Sequence, residues 1–361
     1  MNTIIRTRDD ALAWAAAHAA SLNEGSTHAD DAISVLGAAG FFRIGVPVEL
    51  GGTGGSTWDA AEAIARVAEH SLTAAFVFWG QRCFIGYLLE SDNAALRQRS
   101  LPALLAGELA GATGLSNAMK FLSGIESLSI AATPEADGWR LDGKLPWVTN
   151  LRRSGYVVAA AVEPTDGQPP AVVAFFADTP GITRTDDLQL LALRGSNTAA
   201  ILIDGVASAA GELIHADARR FLPRVRPAFL SLQCGMSIGL ARACIGAAKA
   251  SGSAVRAGLQ SRIDALEAGL AHAIEELKGG LASGSFAEQA APLFKVRIRL
   301  AGIVRQAMDL ELDATGGRAY LVETTGEFAR RWLEAAFVPV VTPSLTQLHG
   351  ELVRQAALRA A

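Results

Sequence analysis

Cysteine and histidine are scarce in this chain. Three cysteines, Cys83, Cys234 and Cys244, occur among 361 residues, and their odd number and wide spacing match neither a disulfide framework nor a zinc site. We expect them to be reduced and to fill apolar space rather than to act as catalytic thiols. The histidines lack the spacing of paired metal ligands, so no metal site is predicted; they are His18, His28, His70, His215, His272 and His349.

An excess of charge of one sign is also missing. The net charge is −4 at pH 7, so no broad basic surface is available for a phosphate backbone, and nucleic acid is not an expected partner. No apolar run approaches the ~18–20 residues that span a bilayer, and the start "MNTIIRTRDD" lacks the apolar core of a signal peptide. We expect a cytoplasmic protein that does not bind membranes.

Three zones of different texture divide the chain, whose length allows about two or three domains. Alanine-rich helical patterns come first, then short β-favouring runs such as "GYVVAAAVE" and "AVVAFFAD", and long helical patterns return after Pro227. This order predicts an α+β fold and argues against a parallel βαβ sheet. The predicted domains are an N-terminal helical domain at 1–110, a central β-domain at 111–222 and a C-terminal four-helix bundle at 223–361.

Two C-terminal segments predict long helices with unusual surfaces. Residues 228–250 are apolar nearly all round and rich in small side chains, which suits the middle of a bundle or a subunit interface. Between 257 and 281, leucine and isoleucine recur at alternating steps of four and three, an apolar stripe with charge opposite. Such surfaces are too apolar for the outside of a monomer, so we expect a homodimer or homotetramer formed through the bundle.

The segment "GKLPWVTNLRR" at 143–153 places a tryptophan between a turn and a strand edge. An indole usually seeks an apolar wall and a partner for its N–H. This placement raises the question of which flat object Trp147 and Thr149 face; the alternative is that Trp147 is a half-buried residue of the β-domain core. The Gly-rich "GGTGGS" at 51–56 lacks the Lys-Ser/Thr of a P-loop and predicts a structural turn.

Five segments, taken together and in order, resemble the acyl-CoA dehydrogenase family along nearly the whole chain. "GWRLDGKLPWVTN" is similar to that family's strand-turn-strand ending in Trp-Ile-Thr-Asn, and "LALRGSNTAAILIDGV" is similar to its Met-Gly-x-Arg strand pair. The resemblance implies that family's fold, with a helical lobe, a β-domain and a helical bundle. The other three segments are "GFFRIGVPVELGGTGGS", "LPALLAGELAGATGLS" and "TGGRAYLVETTGEFARR".

The resemblance also implies a bound FAD. In this family the Trp and Thr pack beside the isoalloxazine ring, so Trp147 would supply an apolar wall and Thr149 a hydrogen-bond donor near the reactive nitrogen. FMN in place of FAD, or no flavin, are the alternatives. The other residues that the resemblance assigns to cofactor binding are Leu115, Ser116, Arg256, Asp313, Gly316, Gly317 and Ser344.

The family's catalytic glutamate is missing from both of its known positions. That carboxylate removes the α-proton of an acyl thioester while the flavin takes the β-hydride, and the paired removal stalls without such a base. Here Thr342 occupies one position and Phe229 occupies the other. Glu334 and Glu351 are the carboxylates nearby in sequence, and we interpret both as solvated helix residues. The catalytic base is therefore not identified.

The expected contacts to the flavin phosphates also depart from the family. Ser116 keeps a hydroxyl, but Phe121, Leu122 and Ser123 replace the usual Gly-Ser-Asp. The segment between the first two bundle helices, which in the family reaches the partner subunit's FAD, is shorter here, with Arg256 as its nearby cation. Since a planar guanidinium suits pyrophosphate, we expect Arg256 to serve in part and the adenosine end to bind weakly or differently.

Three functions are compatible with these residues. The first is a flavin-dependent dehydrogenase that oxidises a small-molecule acyl thioester such as an acyl-CoA. The second is a flavin-dependent monooxygenase of the same fold, which needs no α-proton base and has a similar "Pro-Ser" at this place. The third is a non-catalytic subunit in a hetero-oligomer with an active homologue. This function explains together the loss of the catalytic base and the loss of the family's contacts to the flavin phosphates. We rank the flavin oxidoreductases first.

Overall fold

Helices, a mixed sheet and again helices follow one another in the computed structural model, which describes residues 5–25, 27–208 and 210–360. This order confirms the predicted α+β class. Strands lie between Ala110 and His215, and the long C-terminal helices begin at Ala218. The domain borders near 110 and 222 stay a prediction.

The N-terminal part is helical, and reciprocal capping boxes begin two of its helices. Thr7 and Asp10 form a reciprocal capping box at the start of the first helix, and Ser56 and Asp59 form another at the start of the fourth. The fifth helix is buried along nearly its whole length. The helices are α1 (Arg8–Ala17), α2 (Ala19–Glu24), α3 (Ala29–Ala38), α4 (Thr57–Ala68), α5 (Leu72–Leu89) and α6 (Ala94–Ala106).

The Gly-rich loop before α4 is a closed structural turn, as predicted. The Gly45 N–H donates to the Gly54 carbonyl at 2.8 Å, and the Gly54 N–H donates to the Val46 carbonyl at 2.9 Å. A Cβ on Gly52 would lie 2.0 Å from the Val46 carbonyl oxygen, so this position requires glycine. The loop therefore uses its backbone groups on itself rather than on a phosphate.

The central part is an eight-stranded mixed sheet. Its strands are β1 (Ala110–Thr113), β2 (Ile130–Glu135), β3 (Gly138–Val148), β4 (Tyr156–Pro164), β5 (Ala171–Phe176), β6 (Ile182–Arg184), β7 (Ala199–Ser208) and β8 (Leu213–His215). The order is β6-β7-β3-β2-β4-β5-β8, with β1 beside β4, and only the β1–β4 and β2–β4 pairs among these strands are parallel. A short helix, α7 (Ser116–Leu122), lies between β1 and β2, in a zone described above as β alone.

The C-terminal part consists of helices, and small residues let its first helix cross α4 closely. A Cβ on Gly235 would lie 2.3 Å from the Ala61 carbonyl oxygen, and one on Gly239 would lie 2.1 Å from that of Ala65. Small side chains in this segment thus serve packing within one chain. The helices are α8 (Ala218–Lys249), α9 (Ser253–Ala282), α10 (Ser285–Glu288), α11 (Ala290–Thr315), α12 (Val322–Phe337) and α13 (Leu345–Ala360).

The apolar stripe predicted at 257–281 lies on α9, where Ile263, Leu266, Leu270 and Leu277 are buried. The helix packs against α8 and α11. Because the stripe and the apolar surface of α8 are both covered inside one chain, they no longer argue for a subunit interface. The oligomeric state therefore stays a prediction.

Two helices correct the expectation that no apolar run approaches membrane-spanning length. α5, with 18 residues, and α8, with 32, are long and apolar enough to cross a membrane by length and composition. Their apolar windows are 89% and 83% buried inside the fold, respectively. Both are therefore core helices here.

Candidate functional site

A cavity of about 520 Å³ lies where the three parts of the chain meet. Its walls come from α5, from the β1, α7 and β3 region with the loop before β7, and from α12 with the segment that follows it. Its volume is within the range of about 300–1,000 Å³ that small-molecule sites occupy. Its lining includes Ser116, Trp147, Thr149, Phe76, Trp79 and Thr342.

The predicted flavin-facing pair lies at the end of β3. Trp147 is 61% exposed and lines the cavity, so it is not a half-buried core residue. Thr149 is buried, and its Oγ1 donates to the Ser196 carbonyl oxygen at 3.1 Å and accepts from Thr198 Oγ1 at 3.1 Å. The resemblance assigns the Thr149 hydroxyl the role of a donor to a ligand. In this structure it donates to Ser196 instead, so the hydroxyl must rotate before it can donate to a ligand.

A buried amide network explains why Asn follows Thr in this segment. Asn150 has a φ of 64°, and its Nδ2 donates to the Gly111 carbonyl at 2.8 Å and to Gln81 Oε1 at 3.1 Å. Gln81 on α5 also donates to the Leu104 carbonyl and the Leu109 carbonyl. Gln81 and Asn150 therefore join α5, β1 and the end of β3, and they position the wall that carries Trp147.

Aromatic rings form the wall opposite the sheet. Phe76 and Trp79 on α5 are stacked with centroids 5.5 Å apart, and Phe337 meets Phe76 edge-on at 4.7 Å. Phe229, one of the two family base positions, packs behind Trp79 at 5.0 Å and accepts from its indole N–H at 3.2 Å through the backbone carbonyl. Phe229 is thus part of the core that supports the wall.

The other base position lies in the cavity wall itself. Thr342 lines the cavity, and its carbonyl oxygen accepts from Gln233 Nε2 at 2.7 Å. Among the described residues, nothing hydrogen-bonds its hydroxyl. In the part of the chain that the structure describes, no carboxylate lines the cavity. The charged residue of the described lining is Lys120, which pairs with Glu126 at 3.2 Å.

The interpretation of Glu334 and Glu351 as solvated residues is wrong, because both are buried. Glu334 is 0% exposed; it pairs with Arg330 at 2.7 Å and accepts from the Leu72 N–H at 3.2 Å. Burial raises the pKa of Glu334 to about 7, against the opposing effect of Arg330. Glu351 pairs with Arg354 at 2.6 Å. Neither lines the cavity, so both are structural carboxylates here.

Two predicted cofactor residues lie next to the cavity without lining it. Leu115 is buried directly before α7. Ser344 follows the cavity segment, and its Oγ accepts from the Gln347 N–H at 3.3 Å at the start of α13. Residues 121–123, which replace the family's Gly-Ser-Asp, form the end of α7 and the residue after it.

The residues expected at the flavin phosphates lie outside the cavity lining. Arg256 on α9 is exposed, and its Nη1 donates to the carbonyl oxygen of the last residue of α8 at 3.1 Å. Asp313 on α11 pairs with Arg262 at 2.6 Å, and Gly316 and Gly317 follow that helix. Within one chain, Ser116, Trp147 and Thr149 are thus the predicted cofactor residues that the cavity brings together, and the roles of the others stay predictions.

Comparison with known proteins begins with the N-terminal part, where residues 7–108 match the model of the acyl-CoA dehydrogenase N-terminal domain. The probable acyl-CoA dehydrogenase fadE25 of Mycobacterium leprae (strain TN) is 28% identical over 193 residues, 52% of this chain and 49% of the relative. The probable acyl-CoA dehydrogenase YngJ of Bacillus subtilis (strain 168) is 27% identical over 254 residues, 68% and 64% of the two chains. The matches thus span about half to two thirds of these relatives.

Solved structures match nearly the whole chain. The glutaryl-coenzyme A dehydrogenase glutaryl-CoA complex has a TM-score of 0.79 at 18% identity, covering 97% of this chain and 95% of that one. The chain has the acyl-CoA dehydrogenase fold. KijD3 in complex with FMN and a dTDP-sugar has a TM-score of 0.78 at 22% identity, with coverages of 97% and 91%. The FAD complex of PigA has a TM-score of 0.79 at 17% identity, with coverages of 98% and 97%.

These findings confirm the resemblance to acyl-CoA dehydrogenases that the five segments indicated. Four residues that line or support the site in this acyl-CoA dehydrogenase fold were not predicted from sequence patterns: Phe76, Trp79, Gln81 and Phe337. The first three lie on α5, which is apolar nearly all round and so shows no preferred face. A polar glutamine inside an apolar helix is the one signal that sequence reasoning had available.

Proposed function

We propose that the protein is a flavin-dependent oxidoreductase similar to acyl-CoA dehydrogenases. The observation that carries this proposal is the one cavity that joins Ser116, Trp147 and Thr149 to the family's base position at Thr342. The sequence relatives are named acyl-CoA dehydrogenases, and flavins are named in the titles of the KijD3 and PigA structures.

The residues around the cavity fit a flavin ring, which is flat and largely apolar with hydrogen-bonding edges. Trp147 offers an exposed indole face, and the Ser116 and Thr342 hydroxyls have no hydrogen-bond partner in the described part of the chain. When bound, a flavin supplies the hydride or electron transfer, while the protein supplies binding and orientation. The aromatic wall of Phe76, Trp79 and Phe337 would exclude water from the reacting atoms.

FAD is the cofactor that we propose, with FMN as the alternative. The residues expected at the FAD phosphates lie outside the cavity lining of a single chain. The proposal therefore rests on the residues that would contact the flavin ring and not on those expected at the phosphates. FMN has one phosphate and needs fewer such contacts. Analysis of the flavin released from the purified protein distinguishes the two.

Oxidation of an acyl thioester is the first candidate reaction, because the sequence relatives carry that name. An α-proton of a thioester is weakly acidic, and its removal needs a base held close to the carbon. The described cavity lining offers hydroxyls and Lys120 but no carboxylate. A dehydrogenase with this cavity would therefore depend on a base outside the lining or on an unusually acidic substrate.

Flavin-dependent monooxygenation is the second candidate, and the carboxylate-free lining favours it. Oxygen insertion needs no α-proton base, so Thr342 in place of a glutamate is no obstacle. A non-catalytic subunit paired with an active homologue remains the third function to test. Mixing oxidised protein with acyl-CoAs, and reduced protein with oxygen and candidate substrates, distinguishes the two enzymes, and lack of flavin supports the third.

Association into a homodimer or homotetramer also belongs to the proposal, together with the predicted cytoplasmic location. Its support is now a different surface from the one inferred from the sequence. Several large apolar side chains of the C-terminal part are exposed on one chain, and exposed apolar surface is typical of an interface. They are Tyr320, Leu321, Trp332, Val340 and Val353. Light scattering at micromolar concentration tests the oligomer; a monomer contradicts it.

The test of the flavin site compares two tryptophans on the same strand. Trp147→Ala removes the exposed indole at the cavity, whereas Trp139→Ala removes an indole at the other end of β3, outside the cavity lining. We expect Trp147→Ala to weaken flavin binding about tenfold or more and Trp139→Ala to leave it unchanged. The dissociation constant follows from titration of the flavin absorbance. Equal effects, or no flavin binding by the unmodified protein, contradict the proposal.

A further inference from the structure

Arg297 is a buried cation beneath the segment that carries Thr342. It lies on α11, is 1% exposed, and its Nη2 donates to the Val338 carbonyl oxygen at 2.7 Å. Its Nε contacts Gln233 Oε1 at 3.5 Å, and Gln233 Nε2 donates to the Thr342 carbonyl oxygen at 2.7 Å. Arg297 and Gln233 thus hold both ends of the segment 338–342 through its backbone.

No carboxylate in the described part of the chain forms an ion pair with Arg297. Its Nη1 is buried without a hydrogen-bond partner. The neighbouring thiol of Cys234 provides no counter-charge, because burial raises its pKa to about 12. Burial lowers the pKa of Arg297 as well, but a guanidinium keeps its proton at neutral pH. Among the described residues, the positive charge of Arg297 beneath the segment 338–342 therefore has no counter-charge.

An unpaired buried charge is expensive, which sets Arg297 apart from its neighbours on α12. Arg330 and Arg331 are also largely buried, but they pair with Glu334 at 2.7 Å and with Glu311 at 2.5 Å. Arg82 is a comparable case elsewhere, since it donates to the Ile44 and Gly45 carbonyls and no described carboxylate forms an ion pair with it. Arg82 holds the turn before α4, whereas Arg297 holds a wall of the cavity.

We propose that Arg297, acting with Gln233, positions the segment 338–342 and gives the cavity a positive potential at Thr342. A ligand that carries or develops negative charge there, such as an enolate or phenolate oxygen, is then favoured over its neutral form. Arg297 does not line the cavity, so it is a positioning residue and not a catalytic one. The inference rests on the proposed function only for the nature of the ligand, because the potential belongs to the protein alone.

A thiol at position 342 reports this potential without any flavin. In Thr342→Cys the new side chain faces the cavity, whereas the three native cysteines are buried and react slowly. The pKa of the new thiol follows from the pH dependence of its alkylation by iodoacetamide, since the thiolate is the nucleophile. In the same background, Arg297→Gln should raise that pKa by about half a unit, which lowers the rate about threefold at pH values below both pKa values.

Two further variants separate charge from packing. Arg297→Lys keeps the charge and should keep most of the low thiol pKa. Arg297→Met replaces the buried charge by an apolar chain and leaves Gln233 on the Thr342 carbonyl oxygen, so it should raise the thiol pKa even if Arg297→Gln fails to fold. Arg82→Gln removes a similarly buried arginine on α5, which holds the turn before α4, and should lower stability without changing the thiol pKa.

An unchanged thiol pKa in Arg297→Met overturns the proposal, and so does an equal rise in Arg82→Gln. These outcomes are independent of the proposed function, because every measurement uses flavin-free protein. Failure of the unmodified protein to bind flavin would overturn the proposed function and leave the thiol result standing.

Discussion

The two walls that meet at Trp147 and Thr342 satisfy their polar groups in different ways. At the end of β3, the Thr149 hydroxyl and the Asn150 amide are engaged by protein partners. At the segment 338–342, the backbone is held by Gln233 and Arg297, whereas the Thr342 hydroxyl has no partner in the described part of the chain. Both walls are thus held in place by hydrogen bonds within the protein. The wall at 338–342 lacks the carboxylate that acyl-CoA dehydrogenases use as a base.

The largest expected effect comes from placing a carboxylate at position 342. This substitution would give the wall at 338–342 the base that it lacks. In Thr342→Glu the new side chain would stand on a backbone that Gln233 already holds. General base catalysis contributes about 10²–10⁴-fold, so bleaching of the bound flavin by a saturated acyl-CoA should accelerate about 10²-fold or more. Stopped-flow mixing with acyl-CoAs of several chain lengths measures the rate.

Thr346→Glu is the matched control for that experiment, because Thr346 is exposed on α13 and does not line the cavity. It should leave the bleaching rate unchanged. Rapid bleaching by the unmodified protein would mean that a carboxylate outside the lining, with Glu334 or Glu351 first to test, acts as the base. The dehydrogenase would then be favoured over the monooxygenase.

The second effect is a loss of stability at the cavity wall formed by the end of β3, which Gln81 holds through its hydrogen bonds. Gln81→Leu leaves the Gly111 N–H and two carbonyl oxygens without their partner. Each buried unsatisfied group costs about 1–3 kcal/mol, so we expect a loss of about 3 kcal/mol in the free energy of unfolding, measured with guanidinium. Gln189→Leu changes an exposed glutamine and should stay within about 0.5 kcal/mol. Similar losses in both variants would show that Gln81 has no special role.

The smallest effect is a pH dependence of stability that arises from Glu334 on α12. The pKa of Glu334 is raised by burial from 4.5 to about 7, so within that window the folded protein holds a proton that the unfolded chain has released. Stability therefore falls as pH rises from about 5 to 7, by roughly 1–3 kcal/mol. Glu334→Gln should flatten this slope in urea unfolding, whereas Glu288→Gln, at an exposed carboxylate on α10, should keep it. A slope that survives in Glu334→Gln assigns it to another group.

Local patterns were sufficient to predict most of the fold. The change from helical to alternating hydrophobic periods marks where strands begin, because each period reflects the geometry of a single element. The same patterns did not predict α7, since Ser116–Leu122 is short and shows no clear period. They also did not predict which apolar surfaces are covered within the chain, as α8 and α9 show, because burial depends on partners far away in sequence.

The amino-acid sequence was sufficient to predict the order of the three parts, the Trp147 and Thr149 pair, and the loss of a carboxylate at Thr342 and Phe229. Each of these is written in a short stretch of residues. Folding was needed to show that Glu334 is buried and not solvated, and that Arg297 lies beneath the segment 338–342 with no ion pair among the described residues. The physical reason is that desolvation and charge pairing depend on distances between residues such as Gln233 and Thr342, which are far apart in the chain and adjacent only after folding.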